Sequence, residues 1–164
     1  MSRDDWNITE HAIFHLSFTV ELVATRQEML LQESCGLSLS EWRVLALVSS
    51  FGTLSSKDIT RLTTINKVTL SRTVAKLTSE GLLERTVSDA DSRVQNLTLS
   101  RAGTRRFLKA REAFDQWSGE VLGAVAPSEL KELKRVLGKI RTRLGQVTGE
   151  ERGQSEFFAP DARA

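Results

Sequence analysis

The chain has 164 residues, 40% of them hydrophobic and 27% charged, with a formal net charge of +2. That length suits one domain able to bury its own core, and no apolar run approaches the roughly 20 residues of a membrane span. The single cysteine, Cys35, excludes an intramolecular disulfide framework and a cysteine-only zinc site.

The start, MSRDDWNITEH, lacks the basic opening and apolar stretch of a signal peptide, so a cytoplasmic protein without membrane association is expected. The charge is unevenly spread. Residues 1–54 carry three Lys/Arg against seven Asp/Glu, residues 55–106 ten against five, and residues 107–164 ten against nine. A positive field in the middle third suits phosphate binding, because affinity for duplex DNA comes largely from neutralised phosphates and released counterions. A merely solvated basic face is the alternative on charge alone.

From about Ile8 to Glu33 the spacing predicts a long helix with two apolar stripes, one of Ile13, Leu16, Val20, Val23, Leu30 and Leu31, the other of Phe14, Phe18 and Leu22. A helix apolar around most of its circumference needs cover on more than one side, and a second subunit would supply it. Gly36 ends this helix. Ser38 and Glu41 read as a capping box for a second helix to about Ser50, with Trp42, Val44, Leu45 and Val48 inward. Residues 51–54 form a break with room for a very short strand. Ser55 and Asp58 start a third helix holding Ile59 and Leu62, followed by the turn Thr63-Thr64-Ile65.

Asn66 caps the next helix, in which Leu70, Val74 and Leu77 share one face and Val68, Thr69, Arg72, Lys76 and Ser79 lie opposite. Gly81 stands where a left-handed residue closes a helix. Two strand-like runs follow, Leu82 to Val87 and Val94 to Leu99, joined by a polar tip with Asp91 and Arg93. Ser100 caps a helix to about Val125 whose early turns are strongly basic. Pro127 suits the first turn of a last helix, although Ala126 is a poor cap. There Leu130, Leu133, Leu137, Ile140 and Leu144 keep the 3-4 spacing of a helix–helix seam. From Thr148 the chain turns polar, with one apolar spot at Phe157-Phe158.

A helix with a polar outer face, running into a hairpin tipped by Arg, has the shape of a winged helix-turn-helix. Its helix fits the major groove and its tip reaches a neighbouring minor groove. The order of motifs resembles the MarR family of bacterial transcription regulators. Leu37-Ser38-Leu39-Ser40-Glu41-Trp42-Arg43-Val44-Leu45 is similar to the family's helix entry, and Val68-Thr69-Leu70-Ser71-Arg72 to its recognition helix. Leu77-x-x-x-Gly81-Leu82-Leu83-x-Arg85, Asp91-Ser92-Arg93 and Leu97-Thr98-Leu99-Ser100-x-x-Gly103 continue it. The chain departs from the family in having Ala90 where a basic residue often precedes the wing Asp-x-Arg.

The fold class expected is therefore mainly α with a small β-hairpin wing, a winged helix-turn-helix plus N- and C-terminal dimerisation helices. Residues 1–147 form a single domain, with the DNA-binding lobe at about 37–100, dimerisation helices at about 8–34 and 101–147, and a polar tail at 148–164. The resemblance implies a homodimeric, ligand-responsive repressor on a pseudo-palindromic operator. Its partners would be double-stranded DNA, a second copy of the chain and a small aromatic or phenolic acid effector, with no cofactor.

For DNA, the residues expected to act are Lys67, Val68, Thr69, Ser71, Arg72, Lys76 and Arg93, with Asp91 orienting Arg93. The outward Val68 packs a thymine methyl, Thr69 bonds a base edge or phosphate, Arg72 forks onto guanine, and Lys67 and Lys76 hold phosphates. By resemblance, an effector crevice would be lined by His11, Phe14, His15, Trp42 and Arg43. Trp42 as core, and Arg43 in an interlobe salt bridge, are the competing readings. His11 and His15, four apart, could share a metal but lack clear further ligands, so no metal site is assigned. Cys35 reads as a sensor thiol or simply a packed one; relatives that sense peroxide hold the thiolate with Tyr, and this chain has none. No nucleophile elbow, phosphate loop or paired His-Glu motif points to an enzyme. A winged helix that binds only protein remains the alternative, and in it the basic outer face would be idle.

Overall fold

The computed structural model describes residues 6–87 and 95–148. The expected wing tip with Ala90, Asp91 and Arg93, and the tail with Phe157 and Phe158, lie outside the described residues. A single 3-10 turn, Ile8–Glu10, precedes α1 (Ala12–Cys35), α2 (Leu39–Phe51), β1 (Leu54–Ser55), α3 (Ser56–Leu62) and α4 (Lys67–Ser79). Strands β2 (Leu83–Val87) and β3 (Gln95–Leu99) follow, then α5 (Arg101–Leu122) and α6 (Pro127–Thr148).

The helix starts follow from local hydrogen bonds. The Ser38 side chain accepts from the Glu41 N–H at 3.2 Å while the Glu41 carboxylate accepts from the Ser38 N–H at 2.9 Å. Ser55 and Asp58 repeat the arrangement at α3, and the Asn66 side chain accepts from the Thr69 N–H at 2.8 Å. Each satisfies donors that the first helical turn leaves without a partner. The poor cap Ala126 is compensated, since its N–H donates to the Glu129 carboxylate at 2.8 Å. The first helix starts later than its periodicity predicts. Asn7 accepts from the N–H and hydroxyl of Thr9, closing a tight local turn, and extended His11 separates this turn from α1.

The three strands form an antiparallel sheet in the order β1-β3-β2, with Leu54 opposite Leu97 and Leu83 opposite Leu99. Leu83 of β2 and Leu97 of β3 are the hairpin's buried residues, so beyond the Arg85–Leu97 pair it leaves the core and projects outward. Leu31, Leu37, Leu45, Ile59, Leu77, Leu83 and Leu97 fill the centre of the lobe, all essentially without solvent contact. Trp42 joins them, its ring stacked on Phe107 at 5.5 Å and against Phe114 at 5.4 Å, which seats α5 on α2. Trp42 is thus part of the buried core.

Helix α1 meets this core only through its last turns, where Leu31 and Cys35 are its two buried residues. Two longer-range bonds fix that end. The Glu28 carboxylate accepts from the Leu39 N–H at 2.6 Å, and the Arg106 guanidinium donates to the Cys35 carbonyl at 2.7 Å. The Cys35 thiol is packed and donates to the Leu31 carbonyl. The remainder of α1, and all of α6, contribute nothing buried.

Candidate nucleic-acid interface

Helix α4 is built to show one face. Leu70, Thr73, Val74 and Leu77 are buried, whereas Lys67, Val68, Ser71 and Arg72 are exposed and Thr69 is half-buried. Val68 is 61% exposed, although a branched apolar side chain is ordinarily drawn inward. The helix closes on a Schellman arrangement: the Leu82 N–H donates to the Leu77 carbonyl at 2.8 Å and the Gly81 N–H to the Thr78 carbonyl at 3.0 Å. Gly81 has φ +68°, the left-handed conformation that this closure requires.

Immediately after it, backbone meets backbone. Ser100 donates its N–H to the Leu82 carbonyl at 3.1 Å and its hydroxyl to the Gly81 carbonyl at 2.6 Å, and accepts from the Gly103 N–H at 2.9 Å. A Cβ at Gly103 would lie 2.0 Å from the Leu82 oxygen, so only glycine lets α5 come this close. The sequence shows Ser100 as a cap; nothing local shows why position 103 excludes a side chain.

Between α3, α4 and the hairpin lies an open cleft of about 570 Å³ lined by Lys57, Arg61, Lys67, Ser71, Arg85 and Gln95 among others. The Arg85 guanidinium donates to the Gln95 side chain at 3.1 Å across the two strands. Of the four cations only Lys67 was expected at the interface. Lys57 and Arg61 stand four apart on the side of α3 away from Ile59 and Leu62, a spacing that could have flagged them. Arg85 belongs to a third element, and only the fold brings it in.

Lys76 has a different partner from the phosphate expected. Its ammonium sits 2.5 Å from the Glu41 carboxylate and 3.8 Å from that of Glu80. The helical period explains it: each step of four residues turns about 40°, so the row Val68, Arg72, Lys76 winds from the outer face to the flank beside α2. The hydrogen bond that Lys76 donates to the Glu41 carboxylate is the main cause holding its pKa above the ordinary value, with partial burial and the Arg106 charge opposing.

Each of the five residues expected around an effector has its own packing partners or burial state. Trp42 is in the core on Phe107 and Phe114. His11 packs tilted against Trp6, Phe14 packs against His15 and Phe18, and the His15 Nε2 lies 2.6 Å from the Thr9 carbonyl. Arg43 is half-buried on α2. Among the described residues no three His, Cys, Asp or Glu side chains gather as metal ligands.

A polar helix face, a helix supporting it across a short turn, and a three-stranded sheet with a projecting hairpin define a winged helix-turn-helix. Residues 36–94 match the MarR family. The transcriptional regulator BilQ of Clostridium symbiosum is 36% identical over 70 residues, which cover 43% of this chain and 49% of BilQ, about half its length. A MarR/EmrR family regulator from Acinetobacter sp. ADP1 superimposes with a TM-score of 0.78 at 23% identity, covering 86% of this chain and 99% of that one. A mutant MarR from E. coli, in complex with operator DNA, does so with a TM-score of 0.64 at 19% identity, covering 78% and 94%. Residues 36–94 thus match the MarR family model, and the fold around them is the winged helix of the regulators named above.

Proposed function

We propose that the chain is a homodimeric, effector-responsive repressor that binds a pseudo-palindromic operator. The observation that carries this reading is the outer face of α4, where Lys67, Val68, Ser71 and Arg72 all stand exposed, the apolar Val68 among them. In the major groove Val68 packs a thymine methyl, Thr69 and Ser71 bond a base edge or phosphate, and Arg72 forks onto guanine. Lys67, together with Lys57, Arg61 and Arg85 around the cleft, meets the phosphates on either side. Arg93, with Asp91 beside it in sequence, reaches the minor groove from the wing.

The second subunit is supported by the uncovered apolar residues of α1 and α6. Two lobes related by a two-fold axis place two copies of α4 in successive major grooves. The effector is a small aromatic or phenolic acid. The exposed or half-buried rings of His11, Phe14 and His15 on α1, and the cation of Arg43, are what the chain offers such a molecule. It acts only through unequal affinity for two spacings of the dimer.

The test is selection of bound fragments from a randomised duplex library at moderate salt. A recovered inverted repeat supports the reading, and replacement of Arg93 by Ala then weakens binding while the dimer persists. A pure dimer that retains no duplex even at low salt would overturn it.

A further inference from the structure

A buried carboxylate stands behind the recognition face. Glu41 is 4% exposed and both of its oxygens are engaged, Oε2 by the Ser38 N–H at 2.9 Å and Oε1 by the Lys76 ammonium at 2.5 Å. The first bond belongs to the start of α2, the second to the flank of α4. One side chain therefore ties the N-terminus of the scaffold helix to the helix that carries Val68 and Arg72. The same end of α2 is held to α1 by Glu28 and lies near the Arg106 bond to Cys35. A carboxylate buried this far is costly unless paired, so the position of Lys76, and with it the angle of α4 about its own axis, is constrained by Glu41.

We infer that Glu41 is a positioning residue for DNA reading, which sets the rotation of α4 through Lys76, and that Lys76 is consequently not a phosphate contact. This rests on the DNA-binding function proposed above. Lys76 carries a charge already answered within the protein, so it releases no counterion when DNA binds. The raised pKa of Lys76 agrees with a charge held by the protein. Lys67, exposed at the first turn of the same helix, is the contrasting case.

The experiment uses the full chain and a selected operator duplex, with binding followed by fluorescence anisotropy across a salt series and folding by urea titration. The variants are Lys67→Met, Lys76→Met, Lys76→Arg, Glu41→Gln and the double variant Glu41→Gln/Lys76→Met. Lys67→Met should lower the salt slope by about 0.9 for each subunit's lost phosphate contact. Lys76→Met should leave the slope unchanged and weaken operator affinity roughly tenfold, mid-range for a coupling between contacting residues. Lys76→Arg should restore most of that affinity.

The double variant removes the unpaired buried charge and should recover stability in urea, yet its preference for operator over random duplex should stay reduced. A slope that falls for Lys76→Met as it does for Lys67→Met overturns the inference, because Lys76 then holds a phosphate. So does a double variant that selects bases as the wild type does, which would make the pair structural only. If the wild-type dimer binds no duplex at any salt, the DNA-binding reading fails and this inference falls with it, an outcome distinct from the other two.

Discussion

The winged-helix lobe and the helices that flank it use apolar residues at the same helical spacing and end in opposite states. In α2, α3 and α4 the stripes close on one another and on the sheet, so Leu45, Ile59 and Leu77 have no solvent contact. In α6, Leu130, Leu133, Leu137, Ile140 and Leu144 hold the stricter repeat, and none is buried. The front of α1 behaves likewise, with Ile13 68% exposed and Phe18 52% exposed. Periodicity therefore reports that a face is meant to be covered and does not report by what. The lobe is covered by its own chain. The flanking helices leave their stripes uncovered, which is why a second subunit is proposed for them.

This contrast can be broken from either side. The largest effect is expected inside the lobe at Gly103, where an added methyl would meet the Leu82 backbone and not a movable side chain. Gly103→Ala should lower stability by about 3 kcal/mol, seen as an earlier urea midpoint, and a midpoint within error of wild type would mean that α5 can stand off from β2. Truncation after Ala126 tests the other side. Because α6 buries nothing in its own chain, the remaining protein should keep its lobe and its urea transition while running as a monomer in gel filtration. Its operator affinity should fall roughly a hundredfold with the loss of bivalency. A truncated protein that stays dimeric and binds as before would show that α6 is not the seam.

Smaller changes sharpen the picture within α4. Val68→Ser should relax the preference for one T·A pair per half-site, at a cost of about 1 kcal/mol, without touching the fold. Side-by-side selection with wild type checks this, and identical preferences at every position would leave Val68 without a reading role. The smallest effect is a flat line. The Lys76 pKa lies above its ordinary value, so what the charged form contributes is fully present below about 10.5 and is lost only as pH climbs through the raised value. The stability difference between wild type and Lys76→Met should not vary with pH from neutral up to that range. A slope there would mean that another group controls the pair.

Features written in three or four consecutive residues were legible in advance. Ser38 with Glu41, Ser55 with Asp58, Asn66 and Ser100 all cap as their spacing predicts, because the bonds join residues three apart. The outward placement of Val68 follows from the helical period alone. What escaped depends on elements meeting in space. Glu41 and Lys76 lie on different helices, and the demand on Gly103 comes from a carbonyl at the start of the hairpin. The cleft cations Lys57, Arg61 and Arg85 come from two elements whose relation is set by the core. Trp42 was open to two readings because a buried ring and a ligand-facing ring leave the same trace in one sequence; the structure shows it packed on Phe107 and Phe114.

The contact at Ser100 has a mechanical side. Two successive carbonyls at the end of the recognition helix, those of Gly81 and Leu82, accept from one serine at the start of α5, with no side chain between the backbones. Such a joint is a weld and not a hinge: the two helix ends travel together. Helix α5 has 22 residues, a lever arm of about 33 Å at 1.5 Å per residue. Pivoting it by about 5° displaces its far end by about 3 Å relative to the joint. Run backwards, the same lever means that a shift imposed at the far end of α5 turns the end of α4 with it.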